Sequence, residues 1–115
     1  MAWRLSDLDS TEVIILTHGD IFGRSEGHHT FPTCDEMSRS HCQFLIESNR
    51  VYLMDLGSRN GTFINSEKCE ANVKMRVVDG QIIMFGTKTF MLKNKDDNTN
   101  SMKLSSVPSN SKKRR

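Results

Sequence analysis

The side chains best suited to chemistry fall in two polar stretches and one dipeptide upstream of them. Residues 36–42, Glu-Met-Ser-Arg-Ser-His-Cys, put Ser38, Arg39 and His41 within four positions. Residues 57–65, Gly-Ser-Arg-Asn-Gly-Thr-Phe-Ile-Asn, bring together Arg59, Asn60, Gly61, Thr62 and Asn65, and Gly23-Arg24 precedes both. Guanidinium forks, a small hydroxyl and a primary amide are the donors that suit a tetrahedral dianion, so the inventory suggests a phosphate receptor. Catalysis asks for a nucleophile, a base and an orienting group in mutual reach, and nothing near Ser38 and His41 supplies the third member. Gly57-x-x-x-Gly61 lacks the Lys-Ser/Thr of a nucleotide-binding loop. His28, His29, Cys34, His41 and Cys42 crowd a short span, yet their spacing matches no paired metal-ligand template. No catalytic group, metal or cofactor is expected.

These stretches need strands to hold them. Residues 42–46 and 51–56 are apolar runs with near-alternation, joined by the turn-forming residues 47–50. Cys42 falls on the face of Phe44 and Ile46, where a thiol fills core. Residues 12–17 are apolar on both faces and read as a strand buried on both sides of a sandwich. Residues 21–24 read as a strand ending at Arg24, which brings that arginine to a loop mouth. Residues 30–33 supply a short edge strand, since Pro32 donates no ladder hydrogen bond. Residues 66–78 read as loop with a weak strand through Val73, Met75 and Val77. Asp79-Gly80 signals a hairpin into residues 81–85, and Gly86 turns the chain into residues 87–93, where Phe90 and Leu92 share a face. With a first strand at residues 3–5, the pattern is an all-β sandwich of about ten or eleven short strands with recognition loops at one end, and no helix.

Length and charge narrow the function further. The 115 residues suit one domain with a real core. No apolar run of about 18 residues occurs, and the N-terminus lacks a secretory layout, so a soluble intracellular protein with no membrane contact is expected. Three cysteines in such a protein are expected as free thiols. Residues 94–115 carry six Lys and Arg against two Asp, a net +4 within a chain of +2, which leaves residues 1–93 at −2. A slightly acidic body with a basic end is a poor platform for direct nucleic-acid binding, which concentrates Lys and Arg on one folded face. Residues 94–115 are polar and basic, too poor in apolar residues to offset ordering entropy, and are expected as a disordered tail or linker. Residues 112–115, Lys-Lys-Arg-Arg, read equally as an import signal or as a solvated end. A folded start and a trailing end suggest the N-terminal piece of a longer protein.

Gly23-Arg24, Ser38-x-x-His41, Asn60-Gly61-Thr62 and Asn65, in this order within a strand-rich chain, resemble the signature of the forkhead-associated (FHA) domain. The resemblance covers residues 1–93, and it rests on all the elements together, since Asn-Gly alone is a common turn. It implies a non-enzymatic module that binds phosphothreonine peptides. Arg24 resembles the arginine that contacts the phosphate or the peptide backbone before it. Ser38 resembles the serine whose hydroxyl donates to a phosphate oxygen. Arg39 and Arg59 occupy phosphate-proximal positions, with arginine a departure in residue type at each. Asn60 resembles the asparagine that bonds the peptide main chain; as the first half of Asn-Gly it also suits a turn with positive φ at both centres. Gly23, His41, Gly61, Thr62 and Asn65 resemble structural residues of the site, His41 tying the loops together.

The implied partner is a phosphothreonine-containing protein, and residues 26–30 and 66–70 are expected to read the flanking positions. The setting implied is a nuclear signalling or DNA-damage-response scaffold, with the cytoplasm as the alternative. A different class of function stays open: a sandwich of the same fold used as a phosphate-independent homodimerisation or assembly domain.

Overall fold

The computed structural model describes residues 3–94. Of the tail expected over residues 94–115, residues 95–115, with the import signal, lie outside the described residues, as do the first two positions, while residue 94 is described as strand.

Eleven strands follow in chain order: β1 (Trp3–Asp7), β2 (Val13–Ile15), β3 (Ile21–Gly23), β4 (His29–Thr30), β5 (Cys42–Glu47), β6 (Arg50–Asp55), β7 (Thr62–Ile64), β8 (Glu67–Lys68), β9 (Met75–Val77), β10 (Ile82–Phe85) and β11 (Lys88–Asn94). They form two sheets, a six-stranded one ordered β2-β1-β11-β10-β7-β8 and a five-stranded one ordered β4-β3-β5-β6-β9. No helix occurs among the described residues. The architecture is the expected all-β sandwich.

Alternation decides which face each strand buries. In β1, Trp3, Leu5 and Asp7 turn inward while Arg4 and Ser6 are half-buried; in β11, Phe90 and Leu92 turn inward together. Cys42 and Phe44 of β5 meet Val51 and Leu53 of β6 in the interior. The two layers are knitted by aromatic rings. Phe22 of the smaller sheet lies 5.3 Å from Phe44 and 5.7 Å from Phe85 of the larger sheet, and Phe85 lies 5.5 Å from Phe90. Near-perpendicular approaches at Phe22 set the positive ring edge against a negative face.

The central hairpin β5–β6 closes with Glu47 opposite Arg50, and its two turn residues, Ser48 and Asn49, both have positive φ (50° and 63°). That is the primed-type turn whose twist matches the strands it joins. Asn65 and Ser66 (φ 48° and 71°) make the same kind of connection between β7 and β8.

Four expectations give way here. Residues 12–17 are not a strand buried on both faces: only Val13–Ile15 is strand, at the edge of the six-stranded sheet, with Val13 and Ile15 51% and 55% exposed, Ile14 packed against the core, and Leu16, past the strand end, buried in it. Apolar residues on both faces read as doubly buried, but no layer covers the outer face of this edge. Asp79-Gly80 does not close a hairpin, because β9 pairs with β6 in one sheet while β10 pairs with β7 and β11 in the other. The dipeptide still turns the chain, with Gly80 at φ 91°, and carries it across from sheet to sheet. The short edge strand near residues 30–33 is His29–Thr30, parallel to β3, and Pro32 lies outside it. Val73, 40% exposed, likewise lies outside β9.

At the outer edge of the core, the Lys88 ammonium of β11 sits 2.8 Å from the Asp7 carboxylate of β1. Burial by itself would push the Asp7 carboxyl up, but the Lys88 hydrogen bond, the Asp9 N–H and the Lys88 charge outweigh it and hold it below its ordinary 3.8.

The burial pattern sets up a paired test. Phe22→Ala removes a fully buried ring shared by both sheets and is expected to cost about 3–5 kcal/mol in a denaturant melt. Ile15→Thr, on the open face of β2, is expected to change stability by no more than about 0.5 kcal/mol. A loss of more than 2 kcal/mol for Ile15→Thr would show that this face is covered in solution.

Candidate functional site

Strand β3 ends at the mouth of the sandwich, and the chain from Cys34 to His41 is stitched across it. The Arg24 N–H donates to the Ser38 carbonyl (2.8 Å) and the His41 N–H to the Phe22 carbonyl (2.8 Å). The Glu26 N–H donates to the Arg39 carbonyl (3.0 Å). Gly23 makes this possible: a Cβ there would lie 1.9 Å from the Arg39 carbonyl oxygen, closer than any side chain tolerates. Beneath, Met37 is fully buried and the Cys34 sulfur accepts the Thr87 N–H, so the loop is anchored on the β10–β11 turn.

The second loop, residues 56–61, is organised by one carboxylate. Asp55, nearly buried at the end of β6, accepts the Gly57 and Ser58 N–H groups on Oδ2 (3.1 and 3.0 Å) and the Ser58 and Thr62 hydroxyls on Oδ1. Ser58 Oγ in turn accepts the Gly61 N–H (2.9 Å). Burial raises the Asp55 carboxyl, but the two hydroxyls and the Ser58 N–H outweigh it and hold it below its ordinary 3.8. Of the pair Asn60 and Gly61 only the glycine has positive φ (93°), so Asn60-Gly61 is not a turn with positive φ at both centres. With the loop clamped through Asp55, the asparagine is not forced into that region.

His41 joins the two loops. Its buried ring accepts the Ser38 N–H on Nδ1 (3.0 Å) and donates from Nε2 to the Gly61 carbonyl (2.8 Å). Both nitrogens are engaged by backbone, which leaves neither for proton transfer to a substrate.

Around this frame a cavity of about 350 Å³ is lined by Arg24, Glu26, Ser38, Arg39, Ser40 and Arg59. Ser38 Oγ accepts the Arg59 N–H (3.0 Å), so its own hydrogen is available to an acceptor in the cavity. Arg24 spends only Nε, on the Met37 carbonyl (3.2 Å), and Arg59 donates one Nη to the Asp35 carbonyl (3.4 Å). Among the described residues Arg24, Arg39 and Arg59 have no acidic partner.

Four of the five residues expected at a phosphopeptide site, Arg24, Ser38, Arg39 and Arg59, thus line one cavity. Asn60 does not; its Nδ2 donates to the Glu36 carbonyl (2.9 Å), which braces one loop on the other. Of those expected to be structural, Gly23 takes the close approach, His41 bridges, Gly61 turns, and Thr62 is buried on Asp55. Asn65 Oδ1 accepts the Ile82 N–H (2.8 Å), bracing the β7–β8 hairpin against β10.

The His and Cys residues of residues 28–42 have other duties. His28 Nδ1 accepts the Ile21 N–H, His29 pairs with Asp20 at 3.0 Å, and burial pushes the Cys42 thiol well up. No group of three metal-ligating residues occurs among the described residues.

Sequence reasoning missed Ser40 as a cavity residue and Asp55 and Ser58 as the clamp, whereas Glu26 opens the segment 26–30 expected to read the flanking positions, and the fold places it in the cavity lining. Asp55-x-x-Ser58 at a strand end is the local signal for such a turn.

A family model, FHA domain, matches residues 20–86, more than half of the chain. The chain belongs to the FHA domain family. Solved structures agree. The FHA domain of the CT664 protein from Chlamydia trachomatis superposes with a TM-score of 0.72 at 25% identity, covering 82% of this chain and 98% of that one. The FhaA FHA domain complexed with the intracellular domain of Rv3910 gives 0.70 at 26% identity, covering 79% and 99%. The N-terminal FHA domain of S. cerevisiae Rad53p, solved with a phosphothreonine peptide, gives 0.73 at 20% identity, covering 86% and 98%, a likeness of fold. No curated protein matches the chain.

The clamp in this FHA domain carries a pH signature. Because the folded-state Asp55 carboxyl is depressed, its contribution is complete above the ordinary 3.8 and is lost as pH falls through the lower folded value. Asp55→Asn is expected to lower stability at pH 7 by about 1.5–3 kcal/mol and to flatten the acid limb of a melting-temperature profile. An unchanged acid limb would assign the clamp elsewhere. Gly23→Ala is expected to disturb the Ser38 and Arg39 amides in an NMR spectrum while β1 and β11 keep their shifts.

Proposed function

We propose that this FHA domain is a phosphothreonine-peptide-binding module that recruits the protein carrying it to phosphorylated partners. The observation that carries the reading is one cavity where Ser38 has a hydrogen to give and Arg24, Arg39 and Arg59 have no acidic partners among the described residues. Phosphothreonine brings about −2 charge and three acceptor oxygens. Each charge-assisted bond is worth about 1.5–3 kcal/mol, so two or three supply most of the roughly 8 kcal/mol of micromolar binding. A relative at 25% identity comes from work on phosphothreonine-dependent FHA domain interactions, which supports the same reading. A non-catalytic role fits a histidine held on both sides by backbone. The setting we propose is a nuclear signalling scaffold, including the response to DNA damage, an expectation of the family resemblance together with the basic end of the sequence.

One observation favours a second reading, phosphate-independent self-assembly: Val13 and Ile15 stand exposed on an edge strand, where another chain could pair or pack. Light scattering on a size-exclusion column separates monomer from dimer.

The deciding measurement is binding to a degenerate phosphothreonine peptide library, with unphosphorylated and phosphoserine counterparts. Micromolar binding that depends on the phosphate is expected, and Arg24→Ala is expected to weaken it by about 10- to 100-fold without unfolding the domain. A folded protein that binds no phosphopeptide would overturn the reading.

A further inference from the structure

Glu26 is the one acidic residue lining the cavity with the three arginines. A carboxylate there opposes an incoming dianion, and its simplest structural use would be an ion pair with an arginine. It makes none: its Oε1 accepts the Ser40 hydroxyl (3.0 Å), and no salt bridge joins it to Arg24, Arg39 or Arg59 among the described residues. Its backbone is fixed as well, by the bond to the Arg39 carbonyl. Glu26 is exposed, and among the described residues no hydrogen bond is made to its Oε2. The three guanidinium groups alone, at +3, exceed the about −2 charge of one phosphothreonine, so Glu26 is left over to meet a different group. The acid therefore lies beside the phosphate seat as a separate acceptor for a cation.

We propose that Glu26, positioned by Ser40, is a specificity residue that selects a Lys or Arg beside the phosphothreonine. This rests on the phosphopeptide reading above. A cavity of this volume is about 7 Å across, roughly two residues of extended chain, so the selected side chain lies within about two positions of the phosphothreonine.

The test uses short alanine-based phosphothreonine peptides with Lys, Ala or Glu placed singly at each of the positions flanking the phosphoresidue, titrated by fluorescence anisotropy. The quantity read is the ratio of Lys-peptide to Glu-peptide affinity, since charge changes at Glu26 shift all phosphopeptides together. The wild-type protein is expected to favour Lys by about three- to ten-fold at one position within two of the phosphothreonine. Glu26→Lys is expected to invert that ratio, and Glu26→Gln to bring it close to one. Ser40→Ala is expected to reduce the ratio, and Ser40→Thr, which keeps the hydroxyl, to retain it, the mark of a positioning residue. Arg24-dependent binding with no Lys preference, or with a preference that survives Glu26→Lys, overturns this inference and leaves the phosphopeptide reading standing. A folded domain that binds none of the peptides overturns both.

Discussion

A neutral imidazole sealed inside the sandwich holds the site together. His41 takes a backbone N–H from the loop that carries Ser38 and gives one to the carbonyl of Gly61, at the end of the loop that carries Arg59. The acceptor role of Nδ1 requires the proton on Nε2, so both bonds exist only in one tautomer of the uncharged ring. Of the polar side chains, an imidazole can accept at one end and donate at the other with this reach and rigidity. An amide is shorter, and a hydroxyl has its two functions on one atom. Ring contact with Phe85 at 5.7 Å ties the bridge to the aromatic core, so the spacing of the loops is inherited from the packing of the sheets.

Around that bridge the loops are satisfied from inside. Asp55 absorbs four donors from the second loop and the start of β7, while the Arg24 and Glu26 N–H groups cover the Ser38 and Arg39 carbonyls of the first loop and the Phe22 carbonyl takes the His41 N–H, so the backbone at the mouth has few unmet bonds of its own. The groups left over are side-chain donors: the Ser38 hydrogen and the termini of the arginines. Donors fixed before a ligand arrives lose little freedom when it binds, which is how a small contact area reaches useful affinity.

Much of this was legible in the sequence because it is local. The alternation in β5 and β6, the positive-φ pair between them and the signature residues Gly23, Ser38, His41 and Gly61 each have a meaning within a few positions of themselves. What misled was partnership. Residues 13–15 are as apolar as a buried strand, and only the sheet order reveals an edge whose outer face nothing covers. Asp79-Gly80 carries all the local marks of a hairpin, yet the strands on either side belong to different layers. Glu26 and Ser40 are far apart in sequence and ordinary in type. They meet because Gly23 lets the Arg39 carbonyl press against β3, a contact that no periodicity encodes.

The charge layout follows from the same contrast between local and global. Residues 1–93 sum to −2, yet three arginines converge on one cavity without acidic partners among the described residues. Such a cluster repels itself and works against folding, so it persists only where the surrounding structure is stable enough to hold it. The buried rings and the Asp55 clamp provide that surplus. A bound dianion relieves the repulsion, which couples occupancy of the cavity to stability of the loops. Neutralising the arginines internally with Glu26 would remove the repulsion and the binding site with it. By holding Glu26 to Ser40 instead, the fold keeps the arginines' positive charge open and leaves a negative group beside it, a pairing that, in the reading proposed above, would discriminate between peptides where charge alone would bind any phosphate.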